Sequence, residues 1–313
     1  MQGATDEPGS LARIAGRGKL RRCWHRRNAD VPLRPWQRGL LGALGLSDGE
    51  YSSAPLCALG SGLDASGVWM HAEPVHLVAG LDRLTFVDLQ RHAPLSVEER
   101  SALAQVLSAQ FPHAQFTWHA TAQSWLIRSE RSLEVLTSTP EAAAVHELAE
   151  VLPRGKDASE LRRLMTEMQM ALHDHPVNTA RERNGLPTAN AIWLWGLGSL
   201  AEESPPAQNL PQGWSDDDFT RGVYRLHGAD LEPLAPVTSM MSHSRIARLA
   251  VAPVVEVEEL QREWIDPLIH ALASREIDGL ELVLDQWRLQ ADRSALRRFW
   301  RKPLAPSGWD QRT

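Results

Sequence analysis

Apolar residues recur at i, i+3, i+4, i+7 and i+11 from Leu161 through Leu164, Met165 and Met168 to Leu172. That spacing lays them along one face of an amphipathic helix. The residue before a proline is pushed out of the α region, so the helix is expected to stop near His175, ahead of Pro176. Proline suits the first helical position, so Pro176 opens a second short turn, which Gly185 and Pro187 end. Ala189-Asn190-Ala191-Ile192-Trp193-Leu194-Trp195 then runs apolar without alternation and reads as a strand buried on both faces. Gly196 and Gly198 follow at its carboxyl end, where open α/β sheets place their ligands.

The same reading predicts a helix over Trp36 to Leu46, a loop over Ser52 to Asp64, and a hairpin of Val68 to Leu77 with Leu84 to Leu89 about the Ala79-Gly80-Leu81-Asp82 turn. Ser96 caps a helix whose first turn holds Glu98 and Glu99, a capping-box pattern, and which runs to about Gln110. Strands follow at Gln115 to Trp118 and Ser124 to Ser129, then a helix near Glu141 to Glu150. Farther on come short strands at Gly222 to Leu226 and Ala247 to Val251, a helix over Val257 to Ser274, a strand at Leu280 to Leu284 and a basic helix or tail at Arg293 to Arg301. The order predicts an α+β fold (α/β overall): a mostly antiparallel sheet with helices on one face, plus a smaller C-terminal α/β part. The expected division is a disordered basic arm at 1–35, an α+β domain at 36–203, a linker at 204–213 (SPPAQNLPQG) and a C-terminal region at 214–313.

Charge changes this picture at one end only. Residues 1–38 hold nine Lys/Arg against three acids, a net +6, which leaves −12 for residues 39–313. A basic arm on an acidic body reads as a solvated tail rather than a nucleic-acid site, with contact to DNA or protein through Arg13 to Arg38 as the alternative. Arg297-Arg298-Phe299-Trp300-Arg301-Lys302 interleaves cations and rings; it reads as a helix end complementing its dipole, with base stacking as the other reading. Two cysteines give neither a disulfide framework nor a zinc pattern, and no apolar stretch is long enough to span a bilayer. A cytoplasmic protein without membrane contact is expected.

Candidate chemistry gathers at the joint between the second turn and the strand. His175, Asn178 and Arg181 fall on the turn and Asn190 opens the strand. One imidazole, two amides and one guanidinium suit a phosphate or carboxylate, with Arg181 supplying bidentate geometry. The plainer reading stands beside it: Asn178 and Asn190 bond the backbone of a tight turn, and Arg181 pairs with a carboxylate. His173 and His175 sit two apart and cannot both face one ion on a helix, so no metal site is expected there.

The joint also carries a resemblance. His175-Pro176-Val177-Asn178, Arg181, Ala189-Asn190 and Trp193-x-Trp195-Gly196-x-Gly198 resemble a segment of the archaeal-type, cofactor-independent phosphoglycerate mutases. Trp69 to Leu77, Leu95 to Leu107 and Leu152 to Gly155 look like the same enzymes' inserted domain. Glu73-Pro74-Val75-His76-Leu77 and Glu167-Met168-Gln169-Met170 are similar to bacterial regulatory proteins of the regulation-of-pathogenicity-factors E type. The mutases need an early Asp-Gly metal motif, a phosphorylated Ser or Thr and a late Gly-His with further ligands. This chain has no Gly-His, and Asp48-Gly49 and Asp278-Gly279 lack that context. The resemblance thus implies a catalytically degenerate, mutase-related protein, without metal or other cofactor, holding a small phosphorylated or carboxylated ligand at His175, Asn178, Arg181 and Asn190 in a regulatory role. An active mutase or phosphatase with a divergent metal site is the alternative.

Overall fold

The computed structural model describes residues 9–22, 32–47, 51–79, 84–110, 116–200, 209–241, 248–252, 257–284 and 287–306. Helix α1 (Ser10–Arg17) and strand β1 (Lys19–Arg22) come first, then α2 (Pro35–Ala43) and α3 (Ser53–Gly60). Strands β2 (Val68–Ala79) and β3 (Leu84–Asp88) lead into α4 (Leu89–His92) and α5 (Val97–Gln110). Next are β4 (Phe116–Ala120), β5 (Trp125–Ser129), β6 (Val135–Leu136), α6 (Pro140–Ala143), α7 (Leu148–Val151) and β7 (Arg154–Gly155). The joint itself is α8 (Ala158–His173), α9 (Pro176–Arg183) and β8 (Ala191–Gly198). The chain closes with β9 (Gln212–Ser215), α10 (Asp218–Leu226), α11 (Val237–Met240), β10 (Arg248–Val251), α12 (Val257–Leu260), a π turn (Gln261–Ile265), α13 (Asp266–Ser274), β11 (Gly279–Leu284), β12 (Trp287–Asp292) and α14 (Arg293–Leu296).

The fold is α+β, and its main sheet runs β3-β2-β5-β4 with β8 on β2, every pair antiparallel. Alternation along β2 sets the two layers. Met70 and Ala72 enter one core with Ile192 and Leu194 of β8, under α5 and α8, whose Leu103, Leu107, Leu161, Leu164, Met168 and Leu172 fill it. Each of those buried leucines contributes about 1.5–3 kcal/mol. Trp69, His71, Glu73 and Val75 face the other way: Trp69 packs under α2, α3 and α10, and Val75 joins Ala143, Val151, Trp193 and Trp195 under α6 and α7. Helices therefore cover both faces of the sheet and not the one face expected, because β2 and β8 carry apolar side chains on both sides, which is why β8 is apolar without alternation. Because that sheet is antiparallel, the carboxyl-end rule for ligands in open α/β sheets does not apply to β8.

Three further expectations change. The expected loop at Ser52 to Asp64 contains helix α3, and the expected strand at Gly222 to Leu226 is the end of helix α10. The cause is one contact: a Cβ on Gly60 would lie 1.7 Å from the Asp218 carbonyl oxygen, and one on Gly222 1.9 Å from that of Leu56. These glycines are places where two helix backbones touch, not turn signals. The third change concerns part of the basic arm expected to be disordered over 1–35, of which 1–8 and 23–31 lie outside the described residues. Residues 10–22 fold as α1 and β1, β1 pairs antiparallel with β12, and Leu11, Ile14 and Ala15 pack with Trp287 and Leu289. The apolar positions of α1 have a core to bury into, and that core is built by the far end of the chain.

The expected 204–213 linker falls outside the described residues up to 208, and Gln212 and Gly213 belong to β9, which pairs parallel with β10. The 80–83 turn between β2 and β3 also lies outside them.

Candidate functional site

The four residues singled out in the sequence are brought together around α9, and nearly all their polar capacity is spent within the protein. His175 is the N-cap of α9; its Nδ1 accepts the Val177 N–H at 3.2 Å, and burial lowers its pKa below the ordinary histidine value. Asn178 donates through Nδ2 to the carbonyls of Leu172 (2.8 Å) and Ala189 (3.0 Å), and its Oδ1 accepts the Ala189 N–H at 2.9 Å. Asn190 accepts the Leu77 N–H at 2.7 Å and returns a bond to the Leu77 carbonyl at 2.8 Å, imitating one rung of a sheet. Arg181 is 2% exposed. Its Nε donates to the Pro187 carbonyl at 2.7 Å, Nη1 to Glu99 at 2.8 Å and Nη2 to the Ala93 carbonyl at 2.6 Å. The guanidinium ties α9, the turn before β8 and the start of α5 into one block. The plainer of the two readings of these side chains describes their bonding.

Sequence reasoning missed a second constellation, on the face of β2 that carries His71 and Glu73. Arg34, the N-cap of α2, reaches into the molecule, pairs with Glu73 and with Glu141 of α6 (2.7 Å), and lies 4.7 Å over the Trp195 ring. Trp195 Nε1 donates to Glu73 at 3.0 Å. His71 stacks on the same Trp195 ring, with centroids 4.2 Å apart, and its Nε2 is 2.9 Å from Ser53 Oγ. Gln37 Nε2 donates to the same Oγ at 2.7 Å, and the direction of the Ser53–His71 bond is set by the His71 tautomer. Ser53 is fully buried.

Electrostatics follow from that burial. Desolvation, then the Arg34 charge, pushes His71 down to about 3, so the imidazole is neutral. Burial raises Glu73 against the opposing pull of Arg34. Burial alone would lower Arg34, but Glu73 and Glu141 outweigh it and hold the guanidinium charged. Glu73 Oε1 is buried without a hydrogen-bond partner among the described residues. The signal available in the sequence was an acid in the middle of an apolar strand, Glu73 in Trp69 to Leu77.

The second constellation is built on the Trp193-x-Trp195-Gly196-x-Gly198 strand, which Asn190 of the first precedes. Gly196 has φ +66°, and a Cβ there would lie 2.9 Å from His71 Cδ2 and 3.3 Å from Ser53 Cβ. A Cβ on Gly198 would fall 2.2 Å from Ser52 Oγ. The glycines admit the start of α3 against β8, which is what brings Ser53 to His71. Chemically, a hydroxyl bonded to a neutral imidazole is a nucleophile-and-base pair in outline. Here the base, with its pKa pushed down to about 3, is too weak to take a proton in neutral solution, and the hydroxyl has no exposure. No group of three or more His, Cys, Asp or Glu side chains that could hold a metal ion occurs among the described residues. No helix among them is long and apolar enough to cross a membrane.

Comparison with known proteins agrees with the resemblance in part. A 65-residue stretch is 42% identical to the 2,3-bisphosphoglycerate-independent phosphoglycerate mutase of Methanothrix thermoacetophila, covering 21% of this chain and 15% of that protein. A 114-residue stretch is 26% identical to the corresponding protein of Methanosarcina barkeri, covering 36% of this chain and 29% of that one. These stretches span less than a third of either relative. Among solved structures, the cofactor-independent phosphoglycerate mutase of Thermoplasma acidophilum aligns over 96% of this chain and 86% of its own, with TM-score 0.42 and 16% identity. PH0037 of Pyrococcus horikoshii aligns over 92% and 84%, with TM-score 0.47 and 16% identity. No protein-family model matches the chain. Part of the chain is thus homologous to the archaeal-type cofactor-independent phosphoglycerate mutases.

Proposed function

We propose that this chain is a catalytically degenerate relative of those mutases and works by binding, in a regulatory role, rather than by turnover. The observation that supports the reading is the saturation of the related segment. Arg181, Asn178 and Asn190 bond protein groups, and the Ser53–His71 pair is buried with an imidazole too acidic to accept a proton at neutral pH. Side chains of the kinds that bind and transfer phosphate serve here to hold helices on a sheet.

The ligand class follows from the relatives' names: phosphoglycerate carries a phosphate and a carboxylate, and a regulator derived from such an enzyme would take a small molecule bearing one or both. Of the four residues read as a ligand site, His175 and Asn190 are half-buried; Asn190 spends its amide on the Leu77 backbone, whereas His175 has only Nδ1 engaged by the backbone. Ligand contact is therefore assigned to the exposed side of that turn and not to the Arg181 guanidinium. The test is thermal unfolding with and without 3-phosphoglycerate. A ligand at 100 times its dissociation constant adds about 2.7 kcal/mol. The expected outcome is a shift reduced in His175→Ala; no shift up to millimolar concentration contradicts a phosphoglycerate-like ligand. Regulatory proteins of the regulation-of-pathogenicity-factors E type are the class this behaviour would match.

A further inference from the structure

Residues 10–22 contain five Lys/Arg and no acid, and residues 293–306 contain five more and no acid. The fold places these two segments side by side. Arg298 Nη1 donates to the Arg17 carbonyl at 3.0 Å, and the Leu304 N–H to the Ala12 carbonyl at 2.8 Å. A Cβ on Gly16 would lie 2.1 Å from the Lys302 carbonyl oxygen, so the C-terminal segment rests directly on α1. On the surface so formed Phe299 and Trp300 are 77% and 68% exposed, their rings perpendicular at 5.4 Å. Lys19, Arg21, Arg301 and Lys302 are also exposed. Helix α14 ends at Leu296 with Arg297 as its C-cap, so Arg301 and Lys302, more than a turn farther on, are not explained as partners of its dipole.

We propose that this joined surface binds single-stranded nucleic acid, with Phe299 and Trp300 as stacking platforms and Lys19, Arg21, Arg301 and Lys302 along the phosphates. Charge complementarity calls for a polyanion. The exposed rings call for one with unpaired planar groups, because a duplex keeps its base faces stacked. Two of the four exposed cations placed on the phosphates are arginine, whose flat fork can pair with phosphate oxygens and base edges. A lipid surface is disfavoured because the leucines nearest the rings among the described residues, Leu296 and Leu304, turn inward into the core of α1 and β12.

Fluorescence anisotropy of the full chain with a labelled 16-nucleotide oligothymidylate tests this. Binding is expected at low salt, weaker to the matching duplex, with log K falling against log salt by about 0.7 for each phosphate contacted. Trp300→Ala is expected to weaken binding roughly 5- to 100-fold, and Arg301→Ala with Lys302→Ala to flatten the salt slope by about 1.4. All three positions are exposed, so the fold is retained. Absence of binding at 50 mM salt, indifference to Trp300→Ala, or binding to phosphatidylserine vesicles in place of the oligonucleotide would each overturn the proposal.

Discussion

Arg181 shows how one side chain reads differently in sequence and in space. Its place on a polar turn was legible, because Pro176 and Gly185 mark that turn. Its partners were not: Glu99 lies 82 positions upstream and Ala93 88. Removing the guanidinium leaves two carbonyls and a carboxylate with lost bonds, so Arg181→Ala is expected to cost about 3–5 kcal/mol in urea unfolding. A loss below about 1 kcal/mol would mean that the side chain is free for a ligand after all. His71 makes a pH prediction. Its folded pKa of about 3 lies below the ordinary 6.5, so between those values the unfolded chain takes up a proton that the folded chain refuses. Stability from this group is full above about pH 6.5 and falls as pH drops, by up to about 1.4 kcal/mol per unit. Glu73, with its pKa raised, acts in the opposite sense: its contribution is present in acid and is lost as pH rises through the raised value. The difference between wild-type and His71→Gln stability curves isolates the histidine; a difference that is flat from pH 7 to 4 would show that His71 is not held neutral.

At the scale of elements, strong periodicity and capping chemistry were readable. The α8 face, the proline opening of α9, the buried β8 strand and the Ser96–Glu99 capping box all form, the last with bonds of 2.8 and 3.2 Å. Glycine was misread where it serves packing, because a residue without a side chain carries no periodic signal to say whether it turns the chain or lets another backbone approach. The α3–α10 crossing allows a direct check. Gly60→Ala or Gly222→Ala forces a methyl group into a carbonyl and is expected to cost at least about 2 kcal/mol. Gly42→Ala, in α2 with open space around it, is expected to gain about 0.5–1 kcal/mol. Equal effects from the three in thermal unfolding would contradict this packing. The polar cluster about Arg34 was illegible for a related reason: its members come from α2, α3, β2, α6 and β8, and no local pattern joins them.

For the whole molecule, composition showed a basic beginning and an acidic remainder, but not that the beginning folds against the end. Deleting residues 1–22 removes an edge strand from β12 and uncovers Trp287 and Leu289. Such a variant is expected to unfold at lower temperature with loss of cooperativity in the C-terminal part, whereas a solvated arm would leave the transition unchanged. The two ends together give the molecule a basic, aromatic surface distinct from the saturated interior of the mutase-like segment. That interior is the centre of the account, and turnover of 3-phosphoglycerate in the presence of manganese, followed by phosphorus NMR, tests it most directly. The expected result is an unchanged 3-phosphoglycerate signal over hours. Appearance of 2-phosphoglycerate or free phosphate, abolished in a folded Ser53→Ala variant, would contradict it.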